Sequence, residues 1–358
     1  MLQESQSVST AAPASTAPSP AEPVATAPVA TGSASTAPSA IPAQLPYDGV
    51  SPFPDVYAPP RPRADRVLQL AVTWLLVAAP FAGLVTAAVL FWGHGLGVTD
   101  AVLAVVFYYA TGFGVTAGFH RCLTHRSFRA SPGLRAVLTI AGSMSFEGDV
   151  ISWVAAHRRH HAFSDRPGDP HSPYRYGTGP IGQLRGLVFA HVGWIFGNDP
   201  TSHERFAPDL LEDPVTTRVA KAFPLLCVAS LALPFLCGLA IGHSWYAGFT
   251  ALIWAGLVRV GLLQHVTWSV NSLCHVLGSR PFATREHDRA TNLWPLAVLS
   301  MGESWHNLHH SDPTCARHGV DRGQIDLTAR LIWLFERAGW ATDVRWPDQT
   351  RLDRRRLG

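Results

Sequence analysis

The sequence predicts an all-α integral membrane protein, in which four transmembrane helices carry a cytosolic helical cap that holds a histidine-rich dinuclear metal site. Two observations lead to this prediction. The chain of 358 residues is 47% hydrophobic and 15% charged, and its apolar residues collect in long stretches. Its seventeen histidines include three clusters, and each cluster lies beside one of those stretches. The positions of apolar residues and imidazoles along the chain therefore define the fold class.

Four stretches are apolar and long enough to cross a bilayer, which takes about 20 residues of helix. They cover roughly residues 67–92, 98–119, 221–242 and 245–270. Short links without Lys or Arg join the first stretch to the second (Gly93-His94-Gly95) and the third to the fourth (Gly242-His243-Ser244), whereas arginines flank the opposite ends. By the positive-inside rule, we expect a multi-pass cell-membrane protein with both termini and the long loops in the cytosol.

The remaining chain divides around this membrane domain. Residues 1–60 are rich in Ala, Pro, Ser and Thr and lack the basic start and apolar core of a secretory signal, so we expect a disordered tail. The membrane domain then covers 61–345, and 346–358 form a basic tail. Two further apolar stretches, about 134–156 and 181–197, are predicted to be helices at the membrane interface.

Charge and cysteine content narrow the class of partners. The calculated pI of about 8.7 comes almost entirely from arginine, which gathers in loops beside apolar segments. This pattern suits an anionic lipid leaflet better than nucleic acid. The five cysteines show no CxxC spacing, so reduced thiols are expected. Arg259 lies inside the fourth apolar stretch, where a charge is costly, and we expect it to face a partner or a cavity.

The spacing of the histidines indicates a metal site. A helix places residues i, i+3 and i+4 on one face, so two of the clusters could each present three imidazoles to one cavity. The third cluster is a pair at positions i and i+5. Two such residues point apart on a straight helix, so this pair is predicted to bracket a helix end. The clusters are His157, His160 and His161; His306, His309 and His310; and the pair His120 and His125.

These eight imidazoles exceed the four ligands that one zinc ion uses, so two metal ions are predicted. Imidazole binds iron, copper, zinc and nickel alike, and the ligand type therefore leaves the metal open. His275 follows the fourth apolar stretch and is a ninth candidate, with Asn271 four residues before it on the same helical face. The predicted topology puts all these residues on the cytosolic side.

The clusters and their flanking residues resemble the membrane-bound acyl-CoA desaturases of the stearoyl delta-9 type, over about residues 60–345. The order of the three clusters and the residues around them agree with that family. The matching segments are Gly-Phe-His120 to His125-Arg-Ser-Phe, Trp153 with His157 to His161, Asp169-Pro170-His171, His191-Val-Gly-Trp194, Thr267-Trp268-Ser-Val-Asn271, and Gly302-Glu303 with His306 to His310.

The resemblance implies a centre of two iron ions held by nine histidines, with Asn271 reaching a metal through water. In the family, two electrons and O2 remove two hydrogens from a saturated acyl chain and leave a cis double bond, here expected at delta-9. The implied ligands are His120, His125, His157, His160, His161, His275, His306, His309 and His310. The resemblance also places Trp153, Thr267 and Trp268 at the bend of a substrate tunnel.

Some positions depart from the animal members of the family. Glu147-Gly148 replaces a Gln-Asn pair near the tunnel, and Ala155-Ala156 replaces an Arg-Asp pair that meets the CoA head group. The substrate is therefore expected to be a long-chain saturated acyl-CoA or the thioester of another acyl carrier. His171 is expected behind the ligands rather than among them. Four arginines remain as candidates to meet phosphates: Arg158, Arg159, Arg175 and Arg185.

The chain shows no haem, flavin or ferredoxin segment, so a separate reductase or ferredoxin system is expected to supply electrons. Membrane lipids are the other expected partner, and nucleic acid is not. A membrane di-iron hydroxylase or monooxygenase is an alternative, although longer histidine spacing and more spans would be expected of one. A metal transporter would place its ligands near the membrane midplane. A metal-stabilised scaffold without activity leaves the number of ligands unexplained.

Overall fold

The computed structural model describes residues 54–59, 62–90 and 96–357. Most of the predicted disordered tail and the predicted link Gly93-His94-Gly95 lie outside these residues. Four helices are long and apolar enough to cross a membrane, which confirms the predicted fold class. They are Arg63–Leu90, Val98–Thr124, Phe223–Gly242 and Trp245–His275, called spans one to four below.

Helices dominate the described residues, and the only sheet they form is a two-stranded one. Its strands, β1 (Arg129–Ala130) and β2 (Ala341–Thr342), are antiparallel. Short 3-10 turns cover Pro54–Val56, Gly193–Phe196, Leu273–His275 and Trp294–Leu296. The α-helices are α1 (Arg63–Leu90), α2 (Val98–Phe113), α3 (Pro132–Ser143), α4 (Val150–Phe163), α5 (Pro180–His191), α6 (His203–Phe206), α7 (Pro208–Glu212), α8 (Pro214–Lys221), α9 (Phe223–Gly242), α10 (Trp245–Ala251), α11 (Arg259–Ser272), α12 (His306–Ser311), α13 (Leu327–Arg337) and α14 (Gln349–Arg355).

Spans two and four each contain a π-helical segment, in which backbone hydrogen bonds join residues five apart. Gly114–Thr124 continues α2, and Leu252–Val258 joins α10 to α11. Both spans therefore extend further toward the histidine clusters than the apolar stretches predict, ending at Thr124 rather than residue 119 and at His275 rather than residue 270. The reason is that the helices continue past the last apolar residues and carry ligand candidates at their ends.

Arg259 lies at the end of the second π segment and is buried. Its guanidinium donates hydrogen bonds to the Ser230 hydroxyl at 2.9 Å, the Thr111 hydroxyl at 3.3 Å and the Met144 carbonyl at 3.4 Å. The partners that the sequence led us to expect for the Arg259 charge are thus neutral hydrogen-bond acceptors. These contacts connect span four to span two, to span three and to the chain that follows α3.

The stretch 134–156 is two helices rather than one. The chain leaves α3 and re-enters a helix at α4 after a link in which Phe146 has φ 66° and Gly148 has φ 101°, values that a right-handed helix excludes. Asp149 then caps α4, since its carboxylate accepts hydrogen bonds from the backbone N–H groups of Ile151 and Ser152. This break turns α4 so that its histidines meet those of the other clusters.

The end of the chain packs onto the cap instead of forming a plain basic tail. Leu352 of α14 is buried against Phe282 and Leu308. The side chain of Arg351 forms an ion pair with Asp312, just past α12. Arg351, together with Arg355, whose guanidinium donates to the Ser311 carbonyl, thus holds the end of the helix that carries the third histidine cluster.

Candidate metal centre

The π-helical segment of span two brings His120 and His125 together. The backbone N–H of His125 donates to the carbonyl oxygen of His120 at 3.1 Å. Because a π turn closes over five residues, residue i+5 returns to the face of residue i, and the two ring centroids lie 4.8 Å apart. The sequence prediction had these residues bracketing a helix end. His125 does follow the last helical residue, but the π winding, not a bend, unites the pair.

The clusters on α4 and α12 follow the predicted helical spacing, yet each cluster divides between two sites. On α4, His157 and His161 point to one site and His160 to the other. On α12, His309 joins the first site, while His306 and His310 join the second. Neighbouring residues on a helix point about 100° apart, so each helix contributes to both sites at once.

The result is two groups of imidazoles, in each of which the candidate donor atoms lie within 4.8 Å of one another. Either group could hold a metal ion. Group one contains His120, His125, His157, His161 and His309, and group two contains His160, His275, His306 and His310. All nine predicted histidines are thus brought together, while Asn271 lines the adjacent cavity together with His306.

Distances between the Nε2 atoms fit a shared metal ion. In group one, the Nε2 of His309 lies 2.8 Å from that of His161 and 3.1 Å from that of His120. In group two, the Nε2 of His306 lies 3.1 Å from that of His275 and 3.0 Å from that of His310. Two nitrogens bound at right angles to one ion, each about 2.0–2.1 Å from it, are about 2.9 Å apart.

In four ligand candidates, a carboxylate contacts Nδ1, the ring nitrogen on the other side of the imidazole from Nε2. Among them, the Nδ1 of His160 lies 3.0 Å from Asp169, that of His275 lies 2.8 Å from Asp165, and that of His310 lies 2.6 Å from Asp288. The fourth pair joins the Nδ1 of His120 to Glu303 at 2.8 Å. A carboxylate at Nδ1 keeps the proton there and leaves Nε2 as a bare lone pair, as in many metal-binding histidines.

This pattern explains why the site favours a cation. In group two, the bare Nε2 lone pairs of His160 and His310 face each other at 3.4 Å, so a direct hydrogen bond between these two rings lacks a proton. Burial lowers the pKa of His157, His161, His306, His309 and His310 well below the usual value, and neighbouring imidazoles lower it further. Neutral imidazoles facing inward are the donor set of a transition-metal centre.

Glu303 and Arg121 form a buried network behind group one. Arg121 donates to Glu303 at 3.0 Å and to Asp326 at 3.1 Å. Burial alone would raise the pKa of Glu303, but the charge of Arg121 and the neighbouring imidazoles hold it well below its usual range. Glu303 is therefore an anion that can orient His120.

The structure also places residues that the sequence analysis did not single out. His318 is buried, with its Nδ1 3.2 Å from Glu303 and its ring 4.5 Å from that of His309. Asp288 was missed because it lies 22 residues before His310, in a loop without a recognisable motif. His171 stacks on His160 at 4.4 Å and belongs to neither group, although its donor atom lies within 4.8 Å of those of His160 and Asp169.

A largely apolar cavity leads to the imidazoles from inside the bundle. His120 and His157 of group one and His306 of group two form part of its wall. Two of the predicted tunnel residues, Trp153 and Thr267, line it as well. The other lining residues are Gly112, Val115, Thr116, Leu263, Val266, Val270, Asn271, Leu299, Ser300, Met301 and Glu303.

Glu147 and Trp268, the other two predicted tunnel residues, lie outside the cavity wall. Trp268 is buried with its ring 5.8 Å from that of His191. Burial raises the pKa of Glu147 to about 8, although hydrogen bonds from Thr267 and Trp268 act to lower it. Glu147 therefore holds Thr267 and Trp268 together from behind the wall.

The arginines considered for phosphate binding make contacts within the chain. Arg158 binds Asp209 at 2.6 Å, Arg175 binds Asp199 at 3.2 Å, and the buried Arg159 donates to the Gly168 carbonyl at 2.8 Å. The guanidinium of Arg185 lies 4.9 Å over the ring of Tyr176. At least the first three are used to hold the cap together.

Comparisons with known proteins identify the family of this chain. The sequence model of the family described as "Fatty acid desaturase" matches residues 99–333, which include all nine histidines. The chain is 36% identical over 280 residues to a hex-5-enoyl-(acyl-carrier protein) acetylenase of Moorena producens, covering 78% of this chain and 87% of the relative. It is also 36% identical over 250 residues to an sn-1 stearoyl-lipid 9-desaturase of Anabaena variabilis, covering 69% and 84%.

A third relative is an acyl-CoA C20 delta5-desaturase of Anemone leveillei, 36% identical over 241 residues, which are 66% of this chain and 70% of the relative. The relatives share the family but differ in the printed position of the bond and in the acyl carrier. The histidine groups, the four apolar helices and these matches lead to one conclusion: the chain belongs to the fatty acid desaturase family and is an oxidoreductase that acts on fatty acyl chains.

Proposed function

We propose that the protein is an O2-dependent desaturase that introduces a cis double bond, at carbon 9, into a long-chain saturated acyl thioester. The two imidazole groups would each hold one iron ion, with Asn271 joining group two through water. One observation supports this most directly: the wall of the apolar cavity includes His120 and His157 of group one and His306 of group two. An acyl chain in the cavity would lie beside both metal positions.

The reaction accounts for a metal centre in this place. A saturated methylene carries no acidic proton and no polarised bond, so acid–base or nucleophilic side chains alone do not attack it. Iron ions held by the two imidazole groups would supply the chemistry of O2 reduction and hydrogen removal that no side chain provides. Converting two methylenes and one O2 into a double bond and two waters requires two electrons and two protons from outside the chain.

The protein's own residues would position the acyl chain and exclude water. The cavity wall is formed by apolar residues of spans two and four, such as Val115, Leu263 and Val266. Trp153 and Thr267 would set the bend beside the imidazoles, and a bent channel favours the cis product. Glu147 would fix Thr267 and Trp268 by accepting a hydrogen bond from each of them.

The proposal includes the substrate carrier, the membrane setting and the electron supply. The carrier is an acyl thioester, with acyl-CoA as the first substrate to test. We place both termini and the two metal positions on the cytosolic side of the cell membrane, because Lys and Arg avoid the predicted outer links. Electrons would come from a separate reductase or ferredoxin system.

Lipid analysis tests this function. The chain is produced in a host without desaturases, supplied with labelled stearate and a reductase, and the double bond is located by mass spectrometry of derivatised esters. A cis bond at carbon 9 supports the proposal, whereas a bond elsewhere corrects the position alone. A hydroxylated product would identify the protein as a hydroxylase instead. His309→Ala, produced in the same host, is the control for activity from the host itself.

A further inference from the structure

Two of the nine histidines are partly exposed, and both belong to group one. They are His125 and His161, whose ring centroids lie 4.5 Å apart, whereas the other seven are buried. Neither residue is part of the cavity wall, which is reached by His120, His157 and His306. Group one therefore has a side that faces the cavity and a different side that faces the protein surface.

Arginines surround this surface side. Arg285 is exposed, and its guanidinium donates to the backbone carbonyl of His161 at 3.0 Å. Arg166 is exposed as well and donates to the carbonyl of the next residue, Ala162, at 2.8 Å. Arg126 follows His125 directly and is 67% exposed in its side chain. We call Arg126, Arg166 and Arg285 the arginine face.

The charge of this face is only partly neutralised by contacts within the chain. Asp209 binds Arg126 at 2.8 Å, but the same carboxylate also binds Arg158 at 2.6 Å. The described contacts of Arg166 and Arg285 are backbone carbonyls and, for Arg166, the ring of Phe163. Glu286, next to Arg285, is the neighbouring exposed acid in the sequence. Of the three arginines of this face, only Arg126 has a described carboxylate partner, and it shares that partner with Arg158, which leaves an excess of positive charge.

We propose that the arginine face is the docking surface for an acidic one-electron carrier protein, which delivers electrons to group one through the edge formed by His125 and His161. This inference rests on the proposed function, since desaturation requires two electrons from outside. Two successive dockings supply them, and each oxidises one reduced carrier by one electron. Because electron transfer falls steeply with distance, the exposed edge of the centre is where a carrier has to bind.

The position of the face favours a redox carrier over an acyl carrier. An acyl group has to enter the cavity, whose wall includes neither His125 nor His161. An electron carrier only has to approach a ligand that reaches the surface, and these two residues are the partly exposed ligand candidates of the centre. Complementary charge steers such encounters and makes them sensitive to ionic strength.

Charge reversal tests the docking surface. The double variant R166E/R285E is compared with wild type and with R330E, which makes the same change at an exposed arginine of α13. An acidic [2Fe–2S] ferredoxin with its NADPH-dependent reductase is the probe, and stearoyl-CoA is the substrate. We expect the ferredoxin concentration at half-maximal rate to rise about tenfold or more in the double variant, to lose its salt dependence, and to stay unchanged in R330E.

A chemical reductant separates this inference from the proposed function. Enzyme reduced by dithionite and methyl viologen without O2 is mixed with O2 and stearoyl-CoA, and the product of a single turnover is measured. We expect wild type and R166E/R285E to give equal yields. The proposed docking surface would be overturned if R166E/R285E had the same half-saturating ferredoxin concentration as wild type, or if its KM for stearoyl-CoA rose instead. Absence of product from chemically reduced wild type would refute the proposed function itself.

The single variant R166E guards against indirect damage to the centre, because Arg285 contacts the backbone of His161. Iron content is measured in every variant. Should R285E lower it, R166E alone decides the question, since its side chain contacts only the Ala162 carbonyl and the Phe163 ring in the described structure. We expect the half-saturating ferredoxin concentration to rise about threefold in R166E. An unchanged concentration in this variant would contradict the proposal.

Discussion

The backbone N–H of His125 donates to the carbonyl oxygen of His120 at 3.1 Å, and this hydrogen bond closes the π-helical segment that brings both imidazoles into group one. On an α-helix, two residues five apart point in different directions. On a π-helix they share a face, and here the rings are 4.8 Å apart. A rare local winding of span two thus supplies two of the five donors of one site.

Removal of one imidazole should abolish activity without unfolding the protein. His161→Ala and His309→Ala each delete a nitrogen from group one, where their Nε2 atoms are 2.8 Å apart. We expect no detectable desaturation and less than half of the wild-type iron content. Membrane insertion should be unchanged, because neither residue lies in a span. Iron is measured by mass spectrometry of purified protein, and normal turnover in either variant would contradict the site assignment.

The carboxylate behind His310 should control metal affinity in group two. Asp288 lies 2.6 Å from the Nδ1 of His310 and is 3% exposed. Asp288→Asn removes the charge that keeps the proton on Nδ1, and loss of such a partner typically costs 10–100-fold in metal affinity. Competition with a chelator measures the change. Glu286→Gln makes the same kind of substitution two residues away at an exposed site and should bind metal as wild type does.

The helical spacing of the histidines on α4 and α12 could be read from the sequence, because regular α-helices form there. The π winding between Gly114 and Thr124 could not, since it depends on packing against another helix. A Cβ on Gly114 would lie 2.0 Å from the backbone nitrogen of Gly142 in α3. The two backbones therefore touch at this point, and that contact, which brings together residues 28 positions apart, is invisible in the local sequence.

The division of the ligands between two sites was likewise beyond the sequence. Spacing shows that His306, His309 and His310 share a helical face, but not that His309 faces group one and the others group two. That depends on where α4 approaches α12. The orienting carboxylates Asp165 and Asp288 come from loops, where no periodicity marks them. The four spans were predictable because apolar length alone decides them.

Gly112 offers a test of the cavity as the acyl site. It lines the cavity eight residues before His120, about two helical turns deeper in span two. A Cβ at this position would lie 2.1 Å from the terminal methyl of Met301, so a larger side chain has to push Met301 into the cavity or fill it directly. We expect Gly112→Leu to lower turnover of stearoyl substrate at least tenfold while retaining activity on shorter chains.

Chain-length preference is measured by competition between acyl-CoA substrates of different lengths. Gly133→Leu is the matched control, because an added Cβ there meets nothing within 4 Å and the residue is exposed. An equal loss for all chain lengths in Gly112→Leu would indicate damage to the bundle and not a shorter cavity.

Glu147 should make the stability of the protein depend on pH. Burial raises the pKa of its carboxyl to about 8, against an ordinary value of 4.5. The native state therefore keeps a proton that the unfolded chain releases. As a result, the free energy of unfolding falls as pH rises from about 4.5 to about 8, by at most about 5 kcal/mol in total. The Gln side chain of Glu147→Gln is uncharged at every pH. The difference in melting temperature between this variant and wild type should therefore be larger at pH 9 than at pH 6. Thermal unfolding in detergent at both values measures this, with the exposed Glu286→Gln as control. Equal gains at the two values would mean that the Glu147 carboxyl ionises as it does in water.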